Sequence, residues 1–135
     1  MVYASIELIN CDDMALARKH FIGEEEVKRI QVCMLVDTGS YMLCINENIQ
    51  EYLQLPFREK KRCELADGRI VDCDIVGPVD VRFANRRTGC YAYVLPGDSE
   101  PLLGAIPLEE MDVVIDVQRQ ELVINPLHPE PQMRI

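Results

Sequence analysis

The chain contains no tryptophan, and aromatic residues make up only 6% of it, so its core has to be aliphatic. Basic residues are scarce as well. Fourteen Lys and Arg stand against 23 Asp and Glu, a formal charge of −9. That balance argues against nucleic acid, whose phosphates need a basic surface, and against an anionic membrane face. No apolar run approaches the ~18 residues of a membrane span. The N-terminus lacks the basic region and long apolar stretch of a secretory signal, so a cytoplasmic protein is expected. Only two histidines occur, His20 and His128, and no Cys-x-x-Cys pair exists, so neither a metal nor a cofactor is expected. Six cysteines are present, at 11, 33, 44, 63, 73 and 90. Without a secretory signal they read as free thiols, with Cys33 and Cys44 as small buried hydrophobes.

What remains is an ordinary soluble composition. The 135 residues are 48% hydrophobic and 27% charged, enough chain for one domain with a real core. The most informative stretch is Asp37-Thr38-Gly39-Ser40, set between the apolar runs Val32-Cys33-Met34-Leu35-Val36 and Tyr41-Met42-Leu43-Cys44-Ile45. A carboxylate at the end of a buried strand costs several kcal/mol unless its oxygens are hydrogen-bonded or shared. Gly39 lets the backbone turn and bring N–H groups to that carboxylate, and Thr38 and Ser40 add hydroxyls. Alone, the four residues also suit a plain hairpin turn. A second signal lies downstream, Pro101-Leu102-Leu103-Gly104-Ala105-Ile106-Pro107: two bulky apolar residues, a glycine, and a helix start.

Alternation and punctuation predict strands over residues 2–9, 27–36, 41–45, 62–65, 69–75, 79–84, 90–95, 113–117 and 121–124. A turn is expected at residues 10–13, with irregular chain or a short element to Gly23. Asn46 suits the N-cap of a short helix over residues 47–53, with Ile49, Tyr52 and Leu53 inward and Pro56 beyond its end. A second helix is expected from Pro107 to about Met111. Ala66-Asp67-Gly68 is a strong hairpin signal. The expected fold class is mainly β: a small closed or partly closed barrel with one or two short helices. Residues 1–126 form the expected domain, and residues 127–135 a Pro-rich C-terminal tail.

Together the two motifs resemble the retropepsin-like aspartic peptidases. The stretches Val36-Asp37-Thr38-Gly39-Ser40, Leu65-Ala66-Asp67-Gly68-Arg69, Val76-Gly77-Pro78-Val79 and residues 102–126 are similar to the small bacterial aspartyl protease family proteins of that group. The similarity spans residues 2–126. Ser40 departs from the Ala common in those small proteins, although the two-lobed pepsin-like enzymes also use Ser. The resemblance implies Asp37 as catalytic residue, Thr38, Gly39 and Ser40 as its supporting loop, and Leu102, Leu103 and Gly104 as a brace behind it. Thr38 would brace two such loops across a two-fold axis, and Ser40 would hydrogen-bond the outer oxygen of Asp37. The resemblance also implies one lobe per chain, with Ala66, Asp67, Gly68, Arg69 and Ile70 forming a hairpin flap over an extended peptide or protein substrate.

Aspartic peptidase chemistry needs two carboxylates sharing a proton. Asp98-Ser99-Glu100 lacks the glycine of such a motif and Arg87-Thr88-Gly89 lacks the acid, so the second carboxylate must come from a second copy of the chain. The expectation is therefore a homodimeric aspartic endopeptidase. The alternative is the same dimeric fold used as a binding or regulatory module with little or no hydrolysis.

Overall fold

A computed structural model describes residues 1–132. β1 (Tyr3–Asn10) runs antiparallel to β2 (Arg29–Val36), with Ile6 opposite Val32. Between them lie α1 (Cys11–Arg18) and a 3-10 turn at Glu24–Glu26. The expected turn at 10–13 is thus the start of a helix. Asn10 caps it, its side chain accepting from the Asp13 N–H at 3.1 Å while donating to the Leu53 carbonyl at 2.9 Å. Asp12 and Asp13 occupy the first turn and Arg18 the last, the polarity that suits a helix dipole. The eight-residue helix left little signal beyond a turn or short element, because its buried position is Asp13 and not an apolar residue.

β3 (Leu43–Asn46) leads into α2 (Glu47–Leu53), capped as expected by Asn46, whose Oδ1 accepts from the Ile49 N–H at 2.9 Å. Ile49 and Leu53 face the core, whereas Tyr52 points outward. β4 (Phe57–Glu64) and β5 (Ile70–Phe83) form the hairpin around Asp67-Gly68, and both strands run further than the sequence suggested. The 14-residue β5 pairs with β4 along its first half and with β1 along its second, Leu8 lying opposite Val81. β6 (Arg86–Leu95) returns alongside β5 after a two-residue turn, with Phe83 opposite Arg86.

β7 is only Leu102–Leu103, followed by α3 (Ala105–Met111) and a separate hairpin of β8 (Val113–Asp116) and β9 (Glu121–Ile124). The seven-stranded sheet runs β1-β2-β7-β3-β6-β5-β4, and the extra β1–β5 pairing bends it into a ring. Ile6, Leu8, Met34, Leu43, Ile45, Val79, Val81 and Leu103 fill that ring, and Leu53 and Met111 cover it from two helices. The core is aliphatic, as the lack of tryptophan requires.

The tail begins folded back on the domain. The Asn85 side chain donates to the Pro129 carbonyl at 3.1 Å, Arg86 donates to the His128 carbonyl, and the His128 ring meets Asp112 Oδ2 at 2.6 Å. The last three residues of the expected tail lie outside the described residues.

Candidate active site

Asp37 follows directly on the last residue of β2, where the chain leaves the sheet. Its position is set by β7, which is wedged between the strand entering the motif and the strand leaving it. β7 runs parallel to β2, with Val36 beside Leu103, and antiparallel to β3, with Leu43 beside Leu103. The Asp37 N–H donates to the Leu103 carbonyl at 3.0 Å, extending this ladder by one bond. The side chain is half-buried. Its Oδ1 accepts from the Gly39 N–H at 3.0 Å, and the Ser40 N–H donates to the Asp37 carbonyl at 3.2 Å, closing the turn.

α3 supplies the other half of the support. A helix leaves its first N–H groups without internal partners. Here the loop after Asp37 takes them: Ala105 N–H donates to the Ser40 carbonyl at 2.7 Å and Ile106 N–H to the Tyr41 carbonyl at 2.9 Å. Pro107 has no N–H to satisfy, which explains why the helix begins two residues earlier than Pro107 suggested. Those bonds also keep Tyr41 and Met42 out of the sheet, so β3 starts at Leu43 and not at Tyr41. The contact is close. A Cβ on Gly104 would lie 2.3 Å from the Met42 carbonyl oxygen and 2.7 Å from its nitrogen, so only glycine fits.

The hairpin faces this loop across a cleft of about 920 Å³. Asp37, Gly39 and Ser40 line one side, and Leu65, Ala66, Asp67 and Arg69 line the other. The tip is closed by Leu65 N–H to the Arg69 carbonyl at 2.8 Å and by Gly68, whose φ of 85° only glycine adopts freely. Asp67 and Arg69 pair with each other, Nε to Oδ2 at 2.8 Å. The Arg69 N–H and side chain together hold the Asp67 carboxyl below the usual carboxylate range. Gly68 and Ile70 lie off the cleft lining, with Ile70 exposed on the outside. Leu102 reaches the cleft, while Leu103 and Gly104 are buried behind the loop. Thr38 is exposed at the loop tip.

A retropepsin-like fold carries this loop, and the comparisons agree. The family described as Aspartyl protease matches residues 25–106, more than half of the chain and both motifs. The chain belongs to the aspartyl protease family. Among solved structures, the retroviral protease-like domain of Ddi1 from Leishmania major is similar, with 17% identity and a TM-score of 0.55. That match covers 93% of this chain and 90% of the Ddi1 domain. No curated protein matches the chain.

Two details of this family member differ from the sequence reading. Among the described residues the Ser40 side chain makes no hydrogen bond to Asp37; the Gly39 N–H contacts the carboxylate instead. Cys44 is buried as expected, and burial pushes its thiol up to about 11. Cys33 is exposed, because it lies opposite Ser5 on the outer face of the β1–β2 pair. Sequence reasoning missed the cleft floor: Cys44, Cys63, Cys73, Tyr93 and Leu95. Only the hairpin register carries a signal for these, since strand alternation puts Cys63 and Cys73 on the cleft side of their strands.

Proposed function

We propose that the protein is a homodimeric aspartic endopeptidase that hydrolyses peptide bonds with water held between two Asp37 carboxylates. The observation that supports this reading most is the double anchoring of the Asp37 loop, by the Leu103 carbonyl on one side and the start of α3 on the other, at the edge of a cleft roofed by a hairpin. Such a mount holds a carboxylate still, which general acid–base catalysis requires. The surface around the loop also suits a second copy. Thr38 is exposed, and Tyr41 and Ile106, hydrogen-bonded to each other through the backbone, are 76% and 44% exposed. Apolar groups clustered beside a site are what an interface covers.

In the dimer the two carboxylates share one proton, since two like charges in contact do not both ionise easily. The ionised one takes a proton from water, which attacks the peptide carbonyl. The protonated one donates to the carbonyl oxygen and later supplies a proton to the leaving amine. The hairpin closes on the extended substrate and excludes water. The ion pair of Asp67 and Arg69 turns the hairpin tip's charges on each other, leaving backbone and apolar contacts for the peptide.

Asp37→Asn is the test. Asn matches Asp in size and hydrogen-bonds, but it neither holds nor releases the shared proton. Cleavage of a mixed peptide pool should fall by about 10³-fold or more while the melting temperature stays level or rises. Cleavage retained in Asp37→Asn would place the catalytic group elsewhere. Wild type and variant that are equally inert, yet bind one partner alike, would instead establish the module reading.

A further inference from the structure

Three thiols line the cleft beside Asp37: Cys44 on β3, Cys63 on β4 and Cys73 on β5. The peptidase mechanism uses none of them. The hairpin register places Cys63 opposite Val71 and Cys73 opposite Lys61. Val71 and Cys73, two apart on one strand, share a face. Cys63 and Cys73 are therefore diagonal neighbours on the face that looks into the cleft. The Cys63 thiol donates to the carbonyl of Lys61, the residue paired with Cys73 in the ladder, at 3.8 Å. The opposite face of the hairpin carries a different chemistry, with Lys60 paired to Asp74 at 2.7 Å. Cys63 is half-buried and open to the cleft, whereas Cys73 is buried behind it. One thiol is thus placed to meet an oxidant and the other to resolve the product.

We propose that Cys63 and Cys73 form a redox modification site, converted by a peroxide to a disulfide across the base of the hairpin. The Cys63 thiolate attacks one peroxide oxygen, the O–O bond breaks, and Cys63 becomes a sulfenic acid as hydroxide leaves. The Cys73 sulfur then attacks the Cys63 sulfur, the S–O bond breaks, and the departing hydroxide takes the Cys73 proton. Two thiols lose two electrons and two protons, and hydrogen peroxide becomes two waters. Burial, with the neighbouring Cys63 adding to it, pushes the Cys73 thiol up to about 12, so the second step quickens in alkali. Diagonal strand neighbours sit about 7–8 Å apart at Cα, longer than a relaxed disulfide spans, so the bond draws β4 and β5 together and is readily reduced. Its closure moves the hairpin that carries Ala66 and Asp67 over Asp37. That last consequence rests on the peptidase reading; the thiol chemistry does not.

The test uses the whole reduced protein, treated with hydrogen peroxide, blocked with an alkylating reagent and mapped by mass spectrometry. A Cys63–Cys73 cross-linked peptide should appear before the exposed Cys33 is oxidised, and a reducing thiol should reverse it. In Cys73→Ser, Cys63 should stop at the sulfenic acid and be trapped by dimedone. Cys63 and Cys73 both recovered as alkylated thiols after Cys33 has reacted would overturn the proposal, as would Cys63 linked to any other cysteine. Peptide cleavage measured on the same samples should fall about tenfold on oxidation and recover on reduction. A mapped disulfide with cleavage unchanged would overturn the closure of the cleft. Absence of cleavage in the reduced sample would count against the peptidase reading and not against the disulfide.

Discussion

At the scale of single residues, the site depends on two glycines that do different work. Gly104 has no room: a methyl group there would sit 2.3 Å from the Met42 carbonyl oxygen, and both partners are backbone. Nothing nearby rotates out of the way, so β7 and the Asp37 loop would have to separate. Gly104→Ala should lose more than ~3 kcal/mol, a large share of a domain's stability, seen as a fall in the urea midpoint. A Cβ on Gly39 would lie 3.2 Å from Asp37 Oδ1, which is tight against a side chain and not against the main chain. Gly39→Ala should therefore fold within ~1 kcal/mol of wild type and disturb the carboxylate alone. Equal destabilisation by the two substitutions would show that the close approach at Gly104 does not hold the loop.

At the scale of elements, the acid response of the protein should centre on the turn after α3. Asp112 ends that helix in the left-handed region, with φ of 56°. Its carboxylate accepts from the Asn125 side chain at 2.9 Å and meets the His128 ring at 2.6 Å. The Asn125 hydrogen bond first, and His128 next, hold the Asp112 carboxyl below the usual carboxylate range. A carboxyl with a depressed folded value favours the folded state above its unfolded value and loses that contribution as pH falls through the folded one. The segment running from Asn125 to Pro129 should accordingly loosen below about pH 4. Asp112→Asn tolerates the left-handed backbone but carries no charge. Hydrogen exchange over residues 125–129, taken relative to the intrinsic rate at each pH, should be faster in this variant near neutrality and should change little between neutral and acidic pH. An acid-induced rise as large as that of the wild type would assign the loosening to another group.

At the scale of the whole molecule, the formal charge of −9 bears on assembly. Pairing two such chains brings like charges together, and salt screens that repulsion. Raising ionic strength from about 0.05 M to about 0.5 M should tighten the proposed dimer several-fold, measured by sedimentation equilibrium. Peptide cleavage should follow the dimer fraction on dilution. A monomer that cleaves peptides with no dependence on dilution would show that one chain suffices.

The amino-acid order by itself determined what is local or combinatorial. The Asp37 turn, the Asp67-Gly68 hairpin, the Asn46 cap and the aliphatic core all follow from short-range rules of turn chemistry, capping and alternation. The pairing of the two motifs was legible only through the resemblance to the retropepsin-like peptidases, in which such an element packs beside the Asp-Thr-Gly loop. Tertiary structure decided the rest. α1 begins where a turn was expected and runs on into the segment expected as irregular or a short element, because Asn10 caps it while bonding Leu53 far along the chain. Cys33 faced outward because its partner strand put Ser5 opposite it. The Gly39 N–H took the Asp37 carboxylate because the turn after β2 closes on the Asp37 carbonyl through the Ser40 N–H. The Cys44, Cys63 and Cys73 floor of the cleft exists only once three strands are in register. Such contacts join residues far apart in the chain, and their geometry is set by packing that no local pattern encodes.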